Sequence, residues 1–351
     1  MHSYDLYDRV LGSLMTAGIG DALGAPAEGF SRQEIADTFG RIVKFEDASH
    51  NAISPDNLVG EVTDDTSQMI EMAKAVIRAG GNLTVDGAGQ ALLNWSRNWP
   101  KYYPRNAGGT TKHVILALER GEDPVRIGKL GKLPYRGATN GAVMRVAAAG
   151  LIHPGDLDGA CRTAITMTVP SHGTQHGFSG ACAVACAIAG AMQESPSVWQ
   201  VLKAAVYGAK QGQAYGERHG RVAQGPSVAY KIAQAAEAVF SSATREEAEQ
   251  RVQCAVGCDS YSVQITVAVV LGMFAAADGD TGKTLESCAN IGGDTDTFGC
   301  VAGMIAGAFN GCDGIPQNLI QPFQQTNTHI DFQRLAGELT QIARENIPQS
   351  R

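Results

Sequence analysis

Residues 178–192 read FSGACAVACAIAGAM, and residues 263–277 read VQITVAVVLGMFAAA. Neither segment carries the broad polar face that a surface helix turns to water, so each is expected as a helix buried in a core. Both fall short of the roughly 20 apolar residues that a membrane span requires, and the second holds Gln264 and Thr266. Part of it, 265–271, is rich in β-branched residues and also suits a strand. The surrounding sequence decides for helices. Tyr7, Val10, Leu11 and Leu14 recur at helical spacing, and that pattern stops at Gly18–Gly20. Met69, Ile70, Ala73, Val76 and Ile77 repeat it and are closed by Gly80-Gly81.

Further helices are expected over 85–95, 112–120, 142–149, 157–166, 198–210, 227–239, 245–256, 284–290, 298–309 and 334–345. No strand–helix alternation indicates a parallel sheet. No linker, charge block or internal repeat divides the chain, so residues 1–351 are expected to form one all-α domain. Glycine supplies 42 of the 351 residues and charged residues only 18%, a balance suited to closely packed helices and unlike that of a disordered chain.

The formal charge of −7 argues against a general nucleic-acid or anionic-membrane binder, which needs a basic footprint. The eight cysteines form no CxxC pair; Cys182/Cys186 and Cys254/Cys258 are spaced by one helical turn. No histidine cluster completes a zinc site, so the cysteines are expected as small buried residues in a reducing compartment. Residues 1–10 contain Asp5, Asp8 and Arg9 and do not read as a signal peptide. A cytoplasmic protein without a membrane partner is expected.

Two clusters carry oxygen donors at helix starts. Thr63-Asp64-Asp65-Thr66 precedes the helix that begins near Met69, and Gly292-Gly293-Asp294-Thr295-Asp296-Thr297 precedes that beginning at Phe298. Thr and Asp are good N-caps and acids favour the first turn, so either cluster alone is explained by capping. The pair is not. Asp64 beside Asp65, and Asp294 near Asp296, repel unless something positive lies between them, and four carboxylates with two hydroxyls suit hard divalent cations. An EF-hand fails at the second cluster because Phe298 stands where an oxygen ligand belongs. A third feature is Gly18-Ile19-Gly20-Asp21-Ala22-Leu23-Gly24, followed by Pro26 and Glu28. It follows a helix and does not fit GxGxxG, so no dinucleotide fingerprint is read there. Asn140-Gly141 is a turn dipeptide ahead of Met144-Arg145, and Ser171-His172-Gly173 precedes the long small-residue helix.

In this order over residues 10–309, the segments GSLMTAGIGDALGAPAEGF, GEVTDDTSQM, NAGGTTKHVILAL, NGAVMRVAAAG, the Ser-His pair and NIGGDTDTFGCVAGMIAGAFNG resemble the ADP-ribosylglycohydrolase family, of the dinitrogenase-reductase-activating type. The resemblance implies an all-α bundle with a dinuclear metal cleft, in which Thr63, Asp64, Asp65, Asp294, Asp296 and Thr297 ligate two divalent cations, Mg²⁺ or Mn²⁺. It further implies that ADP-ribose sits with its distal ribose over the cations and that the bond at the anomeric carbon is hydrolysed. Nearby carboxylates stabilise the oxocarbenium-like charge of such a reaction. Asp294 or Asp296 then serves as general base and Glu28 as the family's mobile glutamate. Asn140, Gly141, Met144, His172, Tyr261, Gly292 and Gly293 match stretches that line the substrate cleft. The residues before Asn140, Arg136-Gly137-Ala138-Thr139, contain no carboxylate, so a small ribosylated molecule is weighed beside an ADP-ribosylated protein as substrate.

Two rival readings fit the residues less well. A phosphate loop at Ala277-Asp278-Gly279-Asp280-Thr281-Gly282-Lys283-Thr284 requires glycine where Ala277 stands. A catalytically silent relative that only binds ADP-ribose, or serves as a structural protein, has no reason to keep both acidic clusters intact.

Overall fold

The protein is described from a computed structural model covering residues 5–130, 137–257 and 261–347. Residues 1–4, Arg136 and Cys258, which entered the sequence reading, lie outside the described residues. Seventeen α-helices and no β-strand occur among the described residues. In chain order they are α1 (Leu6–Gly24), α2 (Arg32–Phe39), α3 (Asp64–Arg78), α4 (Val85–Asn98), α5 (Gly109–Glu119) and α6 (Pro124–Lys129). There follow α7 (Ala147–Leu151), α8 (Leu157–Thr168), α9 (Gln175–Ala191), α10 (Val198–His219), α11 (Val228–Phe240) and α12 (Arg245–Val256). The last five are α13 (Val263–Ala276), α14 (Thr281–Asn290), α15 (Thr295–Asn310), α16 (Gln317–Thr326) and α17 (Phe332–Asn346). No helix among the described residues is long and apolar enough to cross a membrane.

Polar side chains start these helices as the sequence leads one to expect. The hydroxyls of Thr63, Thr84, Thr174, Ser197, Ser227, Thr244 and Ser262 each accept a backbone N–H of the first turn. Every residue of α9 is buried, and α13 is helical through its β-branched run with nearly all residues buried. Tertiary surroundings override β-propensity there.

Three helices go beyond the sequence reading. Short polar α2 begins with a reciprocal capping box between Ser31 and Glu34, α6 with Asp123 and a first-turn proline, and α16 runs through Pro322. The helix expected over 142–149 is instead a 3₁₀ turn at Asn140–Ala142 followed by α7. The expected cysteine burial holds for Cys161, Cys182, Cys186, Cys288 and Cys300; Cys312 is half-buried and Cys254 is exposed.

The largest correction concerns α1, which does not stop at Gly18–Gly20 but continues to Gly24. The reason is its partner. A Cβ on Gly20 would stand 2.1 Å from the carbonyl oxygen of Gly299 in α15, and one on Gly299 would stand 2.1 Å from that of Gly20. These glycines therefore let two backbones touch along one of the two most extensive helix pairings among the described residues. The start of α1 meets the end of α15, as the approach of Gly12 to Gly307 shows, and its end meets the start of α15 through Gly24 and Thr295. This antiparallel pairing carries Asp21 and Glu28 to the same end as Asp294 and Asp296.

Candidate active site

Three chain segments converge on one cavity of about 760 Å³. The first is the turn after α1, a 3₁₀ turn at Ala25–Ala27 that presents Glu28. The second is the start of α3, which presents Asp64 and Asp65, and the third is the start of α15, which presents Asp294, Asp296 and Thr297. One ligand oxygen from each of Glu28, Asp294 and Asp296 lies within 4.8 Å of the others.

Hydrogen bonding separates this arrangement from ordinary helix capping. Asp294 occupies the N-cap position of α15, yet its side chain makes no cap bond. It instead accepts from Asn140 Nδ2, which also donates to Thr266 Oγ1 at 3.2 Å. Asp64 Oδ2 accepts from Gln68 Nε2 at 2.8 Å, while Asp65 Oδ1 is buried without a partner. The cap of α3 is supplied by Thr63, whose hydroxyl accepts the Asp65 N–H at 3.3 Å. Asp296 Oδ1 accepts the Thr297 N–H at 2.9 Å, so Asp294 and Asp65 are the acids that helix capping leaves unexplained.

Electrostatics follow from crowding. Burial, with Asp21 and Asp294 nearby and Arg145 opposing, pushes Asp64 up to about 8. Burial and neighbouring carboxylates hold Glu28, Asp65 and Asp296 well above the usual carboxylate range. Asp294 is raised by burial, against hydrogen bonds from Asp296, Asn140 and Thr297. The buried cation facing Asp64 and Asp65 is Arg145, lowered to about 10 by burial. Its Nε donates to Gly141 O at 2.5 Å, and both terminal nitrogens lack hydrogen-bond partners. One guanidinium does not balance five carboxylates. A buried cluster of hard oxygen donors that holds protons where no cation balances it, one oxygen orphaned, fits divalent cations.

Of the residues singled out in the sequence, Glu28, Asp64, Asp65, Asp294, Asp296, Thr297, Asn140, Gly141, Met144 and Tyr261 line the cavity. Tyr261 is 51% exposed, and its carbonyl accepts the Asn140 N–H at 2.9 Å. Four others stand behind the wall. Thr63 is fully buried at the cap of α3. His172 is also fully buried, with Nε2 2.9 Å from Thr139 Oγ1 and Nδ1 2.9 Å from Ser171 Oγ. Burial and the Arg145 charge push its pKa well down, so it is neutral and buttresses Thr139 and Gly141. Gly292 and Gly293 have φ of 86° and 80°, a region glycine enters without strain. Gly293 exchanges two backbone bonds with the Glu28 turn, accepting from Gly29 at 2.7 Å and donating to Phe30 O at 2.8 Å.

Other lining residues were not distinguished in the sequence: Ile53, Asn106, Thr110, Thr111, Gln224 and Gln264. Ile53, Asn106 and Gln224 lie in loops and Thr110, Thr111 and Gln264 in the first turns of α5 and α13, where a single side chain carries no periodic signal. Asp21 was visible in the Gly-rich segment but without a role. Fully buried, its Oδ2 accepts from Thr63 N at 2.9 Å, from Thr66 N at 3.0 Å and from the Thr66 hydroxyl.

The fold and site define an all-helical protein whose paired helix starts line one cavity with carboxylates. Residues 2–349 match the ADP-ribosylglycohydrolase family, and the chain belongs to that family. It is 28% identical over 342 residues to an uncharacterized protein, YegU, of Escherichia coli K12, covering 96% of this chain and 98% of that one. It is 27% identical over 321 residues to the ADP-ribosyl-[dinitrogen reductase] glycohydrolase of Rhodospirillum rubrum, covering 89% and 88%. A solved structure titled an ADP-ribosylglycohydrolase-related protein complex superposes with a TM-score of 0.67 at 24% identity, covering 96% of this chain and 99% of that one. The protein is accordingly a hydrolase of the glycohydrolase type.

Proposed function

We propose that this chain, read as a single domain, is a divalent-metal-dependent glycohydrolase. It hydrolyses the bond at the anomeric carbon of an ADP-ribosylated protein or of a smaller ribosylated molecule. The observation that carries the reading is the convergence of Glu28, Asp64, Asp65, Asp294 and Asp296 on one cavity, where capping accounts for neither Asp294 nor Asp65.

Asp64, Asp65, Asp294, Asp296 and Thr297 would hold two Mg²⁺ or Mn²⁺ ions, with Thr63 behind them at the cap. When bound, such ions supply Lewis-acid polarisation and neutralise the carboxylates. The chain's own residues do the rest. Asn140 holds Asp294 in place through its amide. Glu28, beside Asp294 and Asp296, holds or moves the proton exchanged with the leaving group or the attacking water. Carboxylates around the anomeric carbon offset the positive charge that develops as the glycosidic bond breaks. Met144 and Ile53 provide apolar wall, and the half-exposed ring of Tyr261 offers a stacking face for a base.

The test is release of ADP-ribose or ribose from a panel of ADP-ribosylated peptides and smaller ribosylated compounds, with Mg²⁺, with Mn²⁺ and with EDTA. Turnover abolished by EDTA, and cut about 10²-fold or more by Glu28→Gln, is expected. Turnover indifferent to EDTA would overturn the metal reading. No release from any compound, with tight ADP-ribose binding, would favour a silent binding protein.

A further inference from the structure

The turn that presents Glu28 follows α1 directly, and two anchors from other segments also hold it. One is the paired backbone bonding of Gly29 and Phe30 with Gly293, which ties the turn to the acidic start of α15. The other is Asn51, 1% exposed and drawn from the long loop between α2 and α3. Asn51 Nδ2 donates to the carbonyls of Glu28 at 2.9 Å, Ala25 at 3.2 Å and, more weakly, Pro26 at 3.4 Å. One carboxamide thus gathers three carbonyls of the turn. Its other end is also committed, for Oδ1 accepts the Ile53 N–H at 2.7 Å.

The loop then continues along the cavity. Ile53 lines the cavity, and its terminal methyl would meet a Cβ on Gly29 at 3.8 Å. Ser54, fully buried, accepts through Oγ from Asn106 Nδ2 at 2.7 Å. Asn106 lines the same cavity at the approach to α5. Residues 51–54 therefore form a strap from the Glu28 turn, past a cavity-lining side chain, to Asn106.

We propose that Asn51 is the positioning residue for Glu28, holding the turn so that the glutamate stands beside Asp294 and Asp296. This rests on the reading of Glu28 as the proton-moving group. Asn51 touches no cavity surface itself and acts only through the turn.

The experiment compares wild type, Asn51→Ala and Asn51→Asp, each also in a Glu28→Gln background. Asn51→Asp keeps the shape and the acceptor for Ile53 but replaces the donors with a charge that the three carbonyls repel. Hydrogen exchange followed by mass spectrometry reads the turn directly and needs no substrate. Peptides spanning residues 24–31 should exchange about tenfold faster or more in both variants, while those of the α3 and α15 starts stay protected. Turnover should fall about tenfold to a hundredfold, mostly in kcat, the scale expected of a misplaced group. It should fall no further in the Glu28→Gln background, because residues acting as one unit are not additive. Unchanged exchange in residues 24–31 overturns the proposal whatever the activity. Faster exchange with unchanged kcat, or with losses additive to Glu28→Gln, overturns it too. A silent Glu28→Gln on its own is a separate failure, that of the underlying reading of Glu28. If Asn51→Ala does not fold, Asn51→Asp carries the same two measurements.

Discussion

Asp21 Oδ2 accepts the backbone N–H of Thr63 at 2.9 Å, joining the last turn of α1 to the first residue of the TDDT segment. The same oxygen takes the Thr66 N–H at 3.0 Å and the Thr66 hydroxyl. A wholly buried carboxylate thus satisfies amides of the α3 start that have no partner within the helix. Asp64 and Asp65 are left facing the cavity.

Asp21→Ala should therefore destabilise the protein by about 2–3 kcal/mol, since it strands buried donors that had a charged acceptor. Asp21→Asn keeps a carbonyl oxygen for those donors and should cost much less. Urea denaturation in EDTA measures both. Equal losses in the two variants would mean that the charge, not the acceptor, matters.

Asp296→Asn distinguishes a cation ligand from a helix-start acid. A first-turn acid contributes only about 0.3–1 kcal/mol through the helix dipole. If Asp296 is a ligand, the substitution removes one charge from a crowded cluster, so melting in EDTA should hold or rise. The Mg²⁺-dependent rise in melting temperature should shrink sharply, and turnover should fall by orders of magnitude. Full activity with a full Mg²⁺ response would defeat the assignment.

Acidity of the cluster sets a pH dependence for the metal-free protein. Asp21 is raised by burial from 3.8 to about 6 and Asp64 from 3.8 to about 8, so the folded form binds more protons than the unfolded one between those limits. The stability from these groups is fully present below about pH 4 and is lost as pH rises to about 8. Melting temperature in EDTA should decline from pH 5.5 to 8. The stabilisation added by saturating Mg²⁺ should grow over the same range, because cations and protons compete for the carboxylates. A flat Mg²⁺ increment would contradict this account.

Gly20→Ala pits helix propensity against packing. Alanine is better than glycine in a helix interior by about 1 kcal/mol. At this position its methyl would stand 2.1 Å from the Gly299 carbonyl oxygen, and backbone cannot step aside as a side chain can. Overpacking costs about 1–3 kcal/mol and sometimes more, so net destabilisation is expected by chemical denaturation. A stabilised variant would show that the α1–α15 pairing is looser than described.

Residues whose meaning is local were legible in the sequence. Apolar spacing marked most helices, and the acids at 64, 65, 294 and 296 stood out because two such clusters exceed what capping needs, whereas Thr63, expected as a ligand, caps a helix that starts five residues before Met69. Signals that compete locally were misread. Gly18 and Gly20 look like a helix end by propensity alone, and only α15 lying against them keeps α1 helical to Gly24. The short helices α2 and α6 have clear caps but too few apolar residues to show a period.

What no sequence window could show is which oxygen answers which donor across long chain separations. Asp21 is 42 residues from Thr63, Asn51 is 23 from Glu28, and Asn140 is 154 from Asp294. His172 looked like a cleft residue but stands behind Thr139, and Gly293 serves the Glu28 turn. The local sequence marked most of the helices and a surplus of acid at two helix starts. Packing of α1 on α15 decided where that acid gathers, because hydrogen bonds and charge act over a few ångströms of space irrespective of position along the chain.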